Sequence, residues 1–397
     1  MPDADNAEKN ALISQVFIAT FFKLVLNTAK RLAYPFAPVL SRGLDVPLSA
    51  ITSVIAVNQF AAVFGLFVGP YADRFGYRIM MMAGIAMLTL GMFITGLFPF
   101  YLVLMAGMIL AGCGKTIFDP AIQGFVGKKV PYHRRGQVIG ILEFAWAGST
   151  IVGIPVVAVV IDRLGWRAPF FIIGGLGLIG IFVISTFFPA DNGAARSASH
   201  DAGILAALLS LLKKRHALGL LGFVFFVSTG NDALFVIYGA WLEQDYALSI
   251  LGLGAGTSVI GLAELIGETG VAVFSDRLGL KRSMVTGVFL TIAGYAFLPL
   301  AGGSLISALL ILFLIFLFFE FTVVVSMSLG TELIPEYRAT MMSGFYAAAG
   351  IGRVVGAVFG GPLWVAGGIS ATAVFSGMTT LIGFACLLWG RKKWRPV

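Results

Sequence analysis

Twelve stretches of this chain run for about 20 residues or more with few charges, and nothing else in the sequence constrains the fold as much. A helix needs roughly 20 apolar residues to cross about 30 Å of hydrocarbon. The stretches lie near 12–41, 48–71, 78–97, 100–126, 137–161, 168–189, 216–243, 248–274, 283–302, 303–331, 340–366 and 369–390. In lipid every backbone N–H and C=O must be paired within the protein, so only helices and closed barrels span it. The stretches are continuously apolar rather than alternating, which excludes the barrel. Composition agrees: 58% of residues are hydrophobic, 12% are charged, and the mean hydropathy is +0.95. So few charges cannot cover a soluble core of this size. The chain reads as an all-α membrane protein.

The net charge is +8, which in a soluble protein raises nucleic-acid binding, but the positions argue otherwise. Alternate loops carry Arg74 and Arg78; Lys128, Lys129, Arg134 and Arg135; Lys213, Lys214 and Arg215; Arg277, Lys281 and Arg282; Arg338; and the tail RKKWRP. The opposite loops hold only Arg42, Arg163 and Arg167. By the positive-inside rule both termini lie in the cytoplasm, as an even number of spans requires, and the expected location is the inner (cytoplasmic) membrane. The start, MPDADNAEKN, is acidic, with no cleavage site after a short apolar core, so no removable signal peptide is expected. Cys113 and Cys386 fall within spans and read as packing residues, forming neither a disulfide framework nor a metal site. No P-loop, dinucleotide fingerprint, zinc spacing or nucleophile elbow occurs, so neither an enzyme nor a cofactor is expected.

The polar stretch 190–215 separates six spans from six and reads as a cytoplasmic linker between an N-terminal bundle, 1–189, and a C-terminal bundle, 216–397. The halves repeat each other. GPYADRFGYR places Asp73, Arg74 and Gly76 203 residues before Asp276, Arg277 and Gly279, with Arg78 opposite Lys281. At an offset of 204, VPYHRRGQVIG meets IPEYRATMMSG, pairing Arg134 with Arg338, and Asn27, Ala29 and Tyr34 meet Asn231, Ala233 and Tyr238. Such a near-constant offset argues for duplication of a six-helix unit.

GPYADRFGYR resembles the cytoplasmic loop signature of the major facilitator superfamily between the second and third spans, and its copy falls between the eighth and ninth. With twelve spans and the central linker, the resemblance covers essentially the whole chain. It implies two pseudo-symmetric six-helix bundles that alternate access to a central site. It also implies that Asp73 contacts the start of span eleven near Thr340–Ser343, and Asp276 the start of span five near Gln137, closing a cytoplasmic gate. A carboxylate suits a helix N-terminus because unpaired N–H groups and the dipole meet it there. The alternative is that these charges only set topology. Glycine is expected at 76 and 279 because the loop must turn sharply.

A charge near the bilayer centre costs about 2.5–3.5 kcal/mol, so each one inside a span is a functional candidate. The cations are Lys23, Lys30, Arg31, Lys115 and Arg353; the acids are Asp119, Glu143, Asp232, Glu264, Glu268 and Glu320. Lys23, Asn27, Lys30, Arg31 and Tyr34 share one face of span one, which Pro35 and Pro38 bend further out. Snorkelling accounts for Lys23 as well as function does. The family often has an arginine in span four that is implicated in proton coupling; Met108 falls there, so either Lys115 substitutes or the element is absent. Lys115 and Asp119 also read as a local ion pair. Glu264 and Glu268, one turn apart, read as a proton carrier, or one of them as a fixed partner of Arg353. Asp119 and Glu320 complete the candidate proton-coupling set, while Asn27, Lys30, Arg31, Tyr34, Lys115, Asn231, Asp232, Tyr238 and Arg353 form the candidate substrate site. Glycines in GSTIVGIP and GIGRVVGAVFGGP read as close helix packing or as a hinge.

The expected activity is secondary transport of an amphipathic, anionic or zwitterionic organic solute, small-molecule or lipid-like, by proton-coupled export from a monomer in the lipid bilayer. A lipid or lysolipid flippase, a multidrug–proton antiporter and a non-transporting sensor are the alternatives.

Overall fold

The computed structural model describes residues 2–60, 75–130, 132–189, 214–333 and 338–391, nearly all of them helical. In chain order the helices are α1 (Pro2–Arg31), α2 (Ala37–Leu44), α3 (Leu48–Phe60), α4 (Tyr77–Leu97), α5 (Tyr101–Lys129), α6 (Tyr132–Gly148), α7 (Ile154–Leu164) and α8 (Ala168–Phe187). Then follow α9 (Arg215–Phe235), α10 (Tyr238–Tyr246), α11 (Ile250–Leu278), α12 (Leu280–Phe297), α13 (Leu305–Leu333) and α14 (Arg338–Arg391).

Among the described residues ten helical segments are long and apolar enough to cross a membrane, and α2 with α3 forms one further, bent candidate. The last segment, Gly344–Gly390, is 47 residues long, about two crossings' worth. It breaks where the sequence separates the last two spans, at Gly367 and Gly368.

Among the described residues three spans are interrupted. The first, read over 12–41 with a bend at Pro35 and Pro38, stops at Arg31 and turns through 32–36 before α2 begins. Pro35 is the local cause, since it lacks an N–H and its ring crowds the carbonyl at Arg31. The fifth contains a π-turn, Ser149–Gly153, between α6 and α7. The seventh pauses at 236–237 between α9 and α10, where the β-branched pair Val236 and Ile237 favours helix weakly.

The chain divides into two compact units. The first comprises Met1–Ala33, Val39–Val46 and Phe64–Ser197. Its α4 and α5 approach through facing glycines: a Cβ at Gly84 would lie 2.6 Å from the Gly114 carbonyl oxygen. Small residues permit such backbone contact in lipid, where packing replaces the hydrophobic drive. The second unit comprises Tyr34–Pro38, Pro47–Val63 and Ala198–Val397. Here α9 lies against both arms of α14. A Cβ at Gly360 would meet the Ala233 carbonyl oxygen at 2.7 Å, and one at Gly219 would meet Gly390 Cα at 2.6 Å. Gly352, Gly356 and Gly360 of span eleven therefore serve close packing. Around Phe223, Val227, Val288, Phe319, Val323 and Phe345 the unit builds its apolar core.

Candidate functional site

Each unit buries its own ionic set. In the first, Lys23, Asn27 and Arg31 follow one another at four-residue steps along α1, on one face. Tyr34 does not continue that face, because α1 ends at Arg31 and Tyr34 packs in the second unit. Lys23 is only 2% exposed and does not snorkel; its Nζ lies 2.7 Å from Glu143 Oε1. Arg31, 4% exposed, lies with its guanidinium carbon 3.7 Å from the Trp146 ring centroid. It donates to Thr150 Oγ1 and, at 3.5 Å, to the Trp146 carbonyl oxygen.

Lys115 forms the local pair with Asp119, Nζ to Oδ2 at 2.5 Å, and its Nζ lies 5.8 Å from the Trp146 ring. Two cations thus lie within about 6 Å of the Trp146 ring, close enough for its quadrupole to attract both. Lys30, in the last turn of α1, is half-buried.

In the second unit Asp232 is the centre, 3% exposed on the last turns of α9. Tyr34 Oη donates to its Oδ1 at 3.3 Å, and Gln59 Nε2 reaches the same oxygen at 3.4 Å and Tyr34 Oη at 2.6 Å. Arg353 Nε faces Oδ2 at 3.6 Å. Aromatic rings close one side: Tyr34 and Phe235 have centroids 4.4 Å apart, and Phe235 stacks on Tyr238 at 5.3 Å. Tyr238 Oη shares a 2.8 Å hydrogen bond with Thr257 Oγ1, while the Asn231 side-chain oxygen is buried without a partner among the described residues.

Glu264 is buried on α11 and Glu268 half-buried. Glu320 on α13 faces Gly267, whose Cβ would lie 3.2 Å from its own. Glu264, three residues earlier, shares that face of α11, whereas Glu268 is turned about 100° away from Gly267.

Of the loop residues, Gly76 and Gly279 begin α4 and α12 with φ, ψ of 91°, 146° and 77°, 144°. Only glycine enters this region readily, so the duplicated turns share one backbone conformation. Arg78 donates to the Ser185 carbonyl in the last turn of α8, where a cation meets unpaired acceptors. Asp73 and Arg74 lie outside the described residues, as do the side chains of Arg134, Asp276, Arg277 and Arg338.

Sequence reasoning missed Trp146, Thr150, Gln59 and Thr257. The spacing of Glu143, Trp146 and Thr150, three and then four residues, is the helical-face signal that was available for the first two.

Comparison with known proteins agrees with this architecture. The uncharacterized MFS-type transporter YceJ of Bacillus subtilis is 26% identical over 380 residues, 94% of this chain and 93% of that protein. The multidrug resistance protein MdtG of Salmonella typhimurium is 25% identical over 239 residues, 59% of this chain and 58% of its own. A crystal structure of a bacterial homologue of the human lysosomal transporter Spinster superposes with a TM-score of 0.76 at 14% identity, covering 98% of this chain and 99% of that one. The sequence profile of the Major Facilitator Superfamily matches residues 16–229 and 220–397. Twin compact helical units, apolar spans and that match together mean that the chain belongs to the Major Facilitator Superfamily, a family of membrane transporters and not of enzymes.

Proposed function

We propose that this transporter exports an amphipathic organic solute bearing an anionic or zwitterionic group, driven by protons, from the cytoplasmic membrane with both termini in the cytoplasm. Six-helix halves 1–189 and 216–397, joined by 190–215, alternate access. The observation that carries the reading is the uneven distribution of charge within the spans: the first unit holds Lys23, Lys30, Arg31 and Lys115 against Asp119 and Glu143, and the second holds Asp232, Glu264, Glu268 and Glu320 against Arg353. Desolvated ions are retained in a membrane where they bind or relay charge, because their burial is otherwise costly. Arg31 and Lys115, both near the Trp146 ring, suit the acid group and an adjoining apolar body. The second-unit carboxylates suit proton transfer.

Multidrug–proton antiport is the second reading. It is favoured by the resemblance to MdtG and by Asp232 among Tyr34, Phe235 and Tyr238, a carboxylate with aromatic walls that suits an organic cation.

Purified full-length protein in proteoliposomes, given a pH gradient and labelled decanoate, lysophosphatidylcholine or decyltrimethylammonium, separates the readings. Decanoate or lysolipid flux that collapses with a protonophore and falls at least about tenfold in Arg31→Gln supports anion export. Flux of the cation alone, lost in Asp232→Asn, replaces it with the second reading. No flux of any amphiphile refutes both.

A further inference from the structure

The π-turn at 149–153 is only partly explained by its own sequence. Ile154 N–H donates to the Ser149 carbonyl, a five-residue step in place of the usual four. Pro155 supplies a local reason, since it has no N–H for the Ile151 carbonyl and its ring crowds that oxygen, which a wider turn relieves. The turn is also pinned from another helix. Arg31 reaches both the Thr150 hydroxyl and the Trp146 carbonyl, and its guanidinium covers the Trp146 indole. Close packing holds α1 in place for this: Leu24 Cδ1 would lie 3.1 Å from a Cβ at Gly148, and Thr28 Cβ 3.1 Å from one at Gly153.

One turn back on the same face of α1, Asn27 is 0% exposed, and among the described residues neither its amide nitrogen nor its oxygen has a hydrogen-bond partner. Native proteins leave few buried amides idle on both atoms, and water or a ligand commonly completes such a group. The first unit therefore offers an idle buried donor next to a guanidinium engaged by a hydroxyl and a carbonyl of the π-turn.

We propose that the oxyanion of the solute binds Arg31 and Asn27 and, by drawing the guanidinium away from Thr150 and Trp146, releases the π-turn of the fifth span. This rests on the anion-export reading above. A carboxylate or phosphate takes two parallel N–H bonds from a guanidinium and adds an opposite charge that the neutral Thr150 hydroxyl and Trp146 carbonyl lack. Asn27 Nδ2 adds a further donor. Re-registering a five-residue step to a four-residue one turns the helix beyond it by about 100° and shifts it about 1.5 Å. Occupancy at α1 would thus be converted into a rotation of α7 against α6.

The test uses the full chain in lipid nanodiscs, with decanoate as free acid, lysophosphatidylglycerol as headgroup phosphate and decanamide as neutral control. Saturating decanoate or lysolipid should raise hydrogen exchange across 149–154 at least about fivefold, decanamide should not, and Arg31→Lys should weaken binding about tenfold. Which of the two anions acts identifies the source of the oxyanion. Thr150→Val removes a competitor for the guanidinium and should tighten decanoate binding about fivefold, whereas a merely structural threonine would leave it unchanged or weaken it. Unchanged or weaker binding in Thr150→Val, or binding without faster exchange, overturns the inference. If Arg31-dependent anion flux survives in that case, the export reading stands and only the π-turn device fails; absent binding and flux, both fail.

Discussion

At the scale of single residues, Lys23 shows why a buried charge is held in place. Its side chain is 3% exposed, while the Glu143 side chain that answers it is 46% exposed. Removing the acid leaves an uncompensated buried cation, whereas removing both charges leaves an apolar contact that is nearly neutral or better. Glu143→Gln should therefore cost about 1–3 kcal/mol, and Lys23→Met combined with Glu143→Leu should recover most of it, read as unfolding temperature in detergent. A double variant as unstable as the single one would show that the pair is not the cause. Charged residues such as Asp232, Arg353 and the Lys115–Asp119 pair were legible in the sequence because an ion in an apolar stretch stands out by its solvation cost. Trp146, Thr150 and Gln59 were not, since uncharged polar and aromatic residues are ordinary in membrane helices. Their importance comes from Arg31 and Asp232, which meet them only across helix contacts.

At the scale of elements, four glycines mark helix ends in corresponding places. Gly76 and Gly279 are 203 residues apart, and so are Gly165, at φ 86°, and Gly368, at φ 61°. The first pair was legible from the repeated D-R-x-G turn; the second lies in dissimilar surroundings, LGW and GGI, and emerges only from backbone angles. A methyl group added at Gly279 would meet none of the described residues within 4 Å, so Gly279→Ala tests backbone conformation alone. It should destabilise by about 1–3 kcal/mol, measured by thermal unfolding, and an unchanged unfolding temperature would mean that the turn relaxes without strain. Gly356→Leu is the contrasting case, because its Cβ would already lie 3.0 Å from Asp232 Cβ and 2.9 Å from the Ala233 nitrogen. Overpacking there should cost about 1–3 kcal/mol or more and displace Asp232, so lost transport should accompany lost stability.

At the scale of the whole molecule, Phe17, Phe182, Leu300, Ile306 and Val365 are largely exposed, as side chains facing lipid must be. The loop charges then predict the orientation. With Cys113 and Cys386 replaced by serine, Arg163→Cys should react with a membrane-impermeant maleimide on intact cells, and Lys128→Cys only after permeabilisation. The reverse pattern would invert the proposed topology. By itself the sequence determined the apolar spans, the glycine turn that repeats, and which residues carry a solvation cost, because each follows from local hydrophobicity and backbone sterics. Tertiary structure alone decided that Glu143 answers Lys23 and that Asp232 faces Arg353, that Tyr34–Pro38 and Pro47–Val63 pack with the second unit, and that an arginine of the first span pins a π-turn in the fifth. Those are contacts between residues far apart in the chain, 198 positions for Tyr34 and Asp232, and no local pattern encodes which distant side chain will fill a given hydrogen bond.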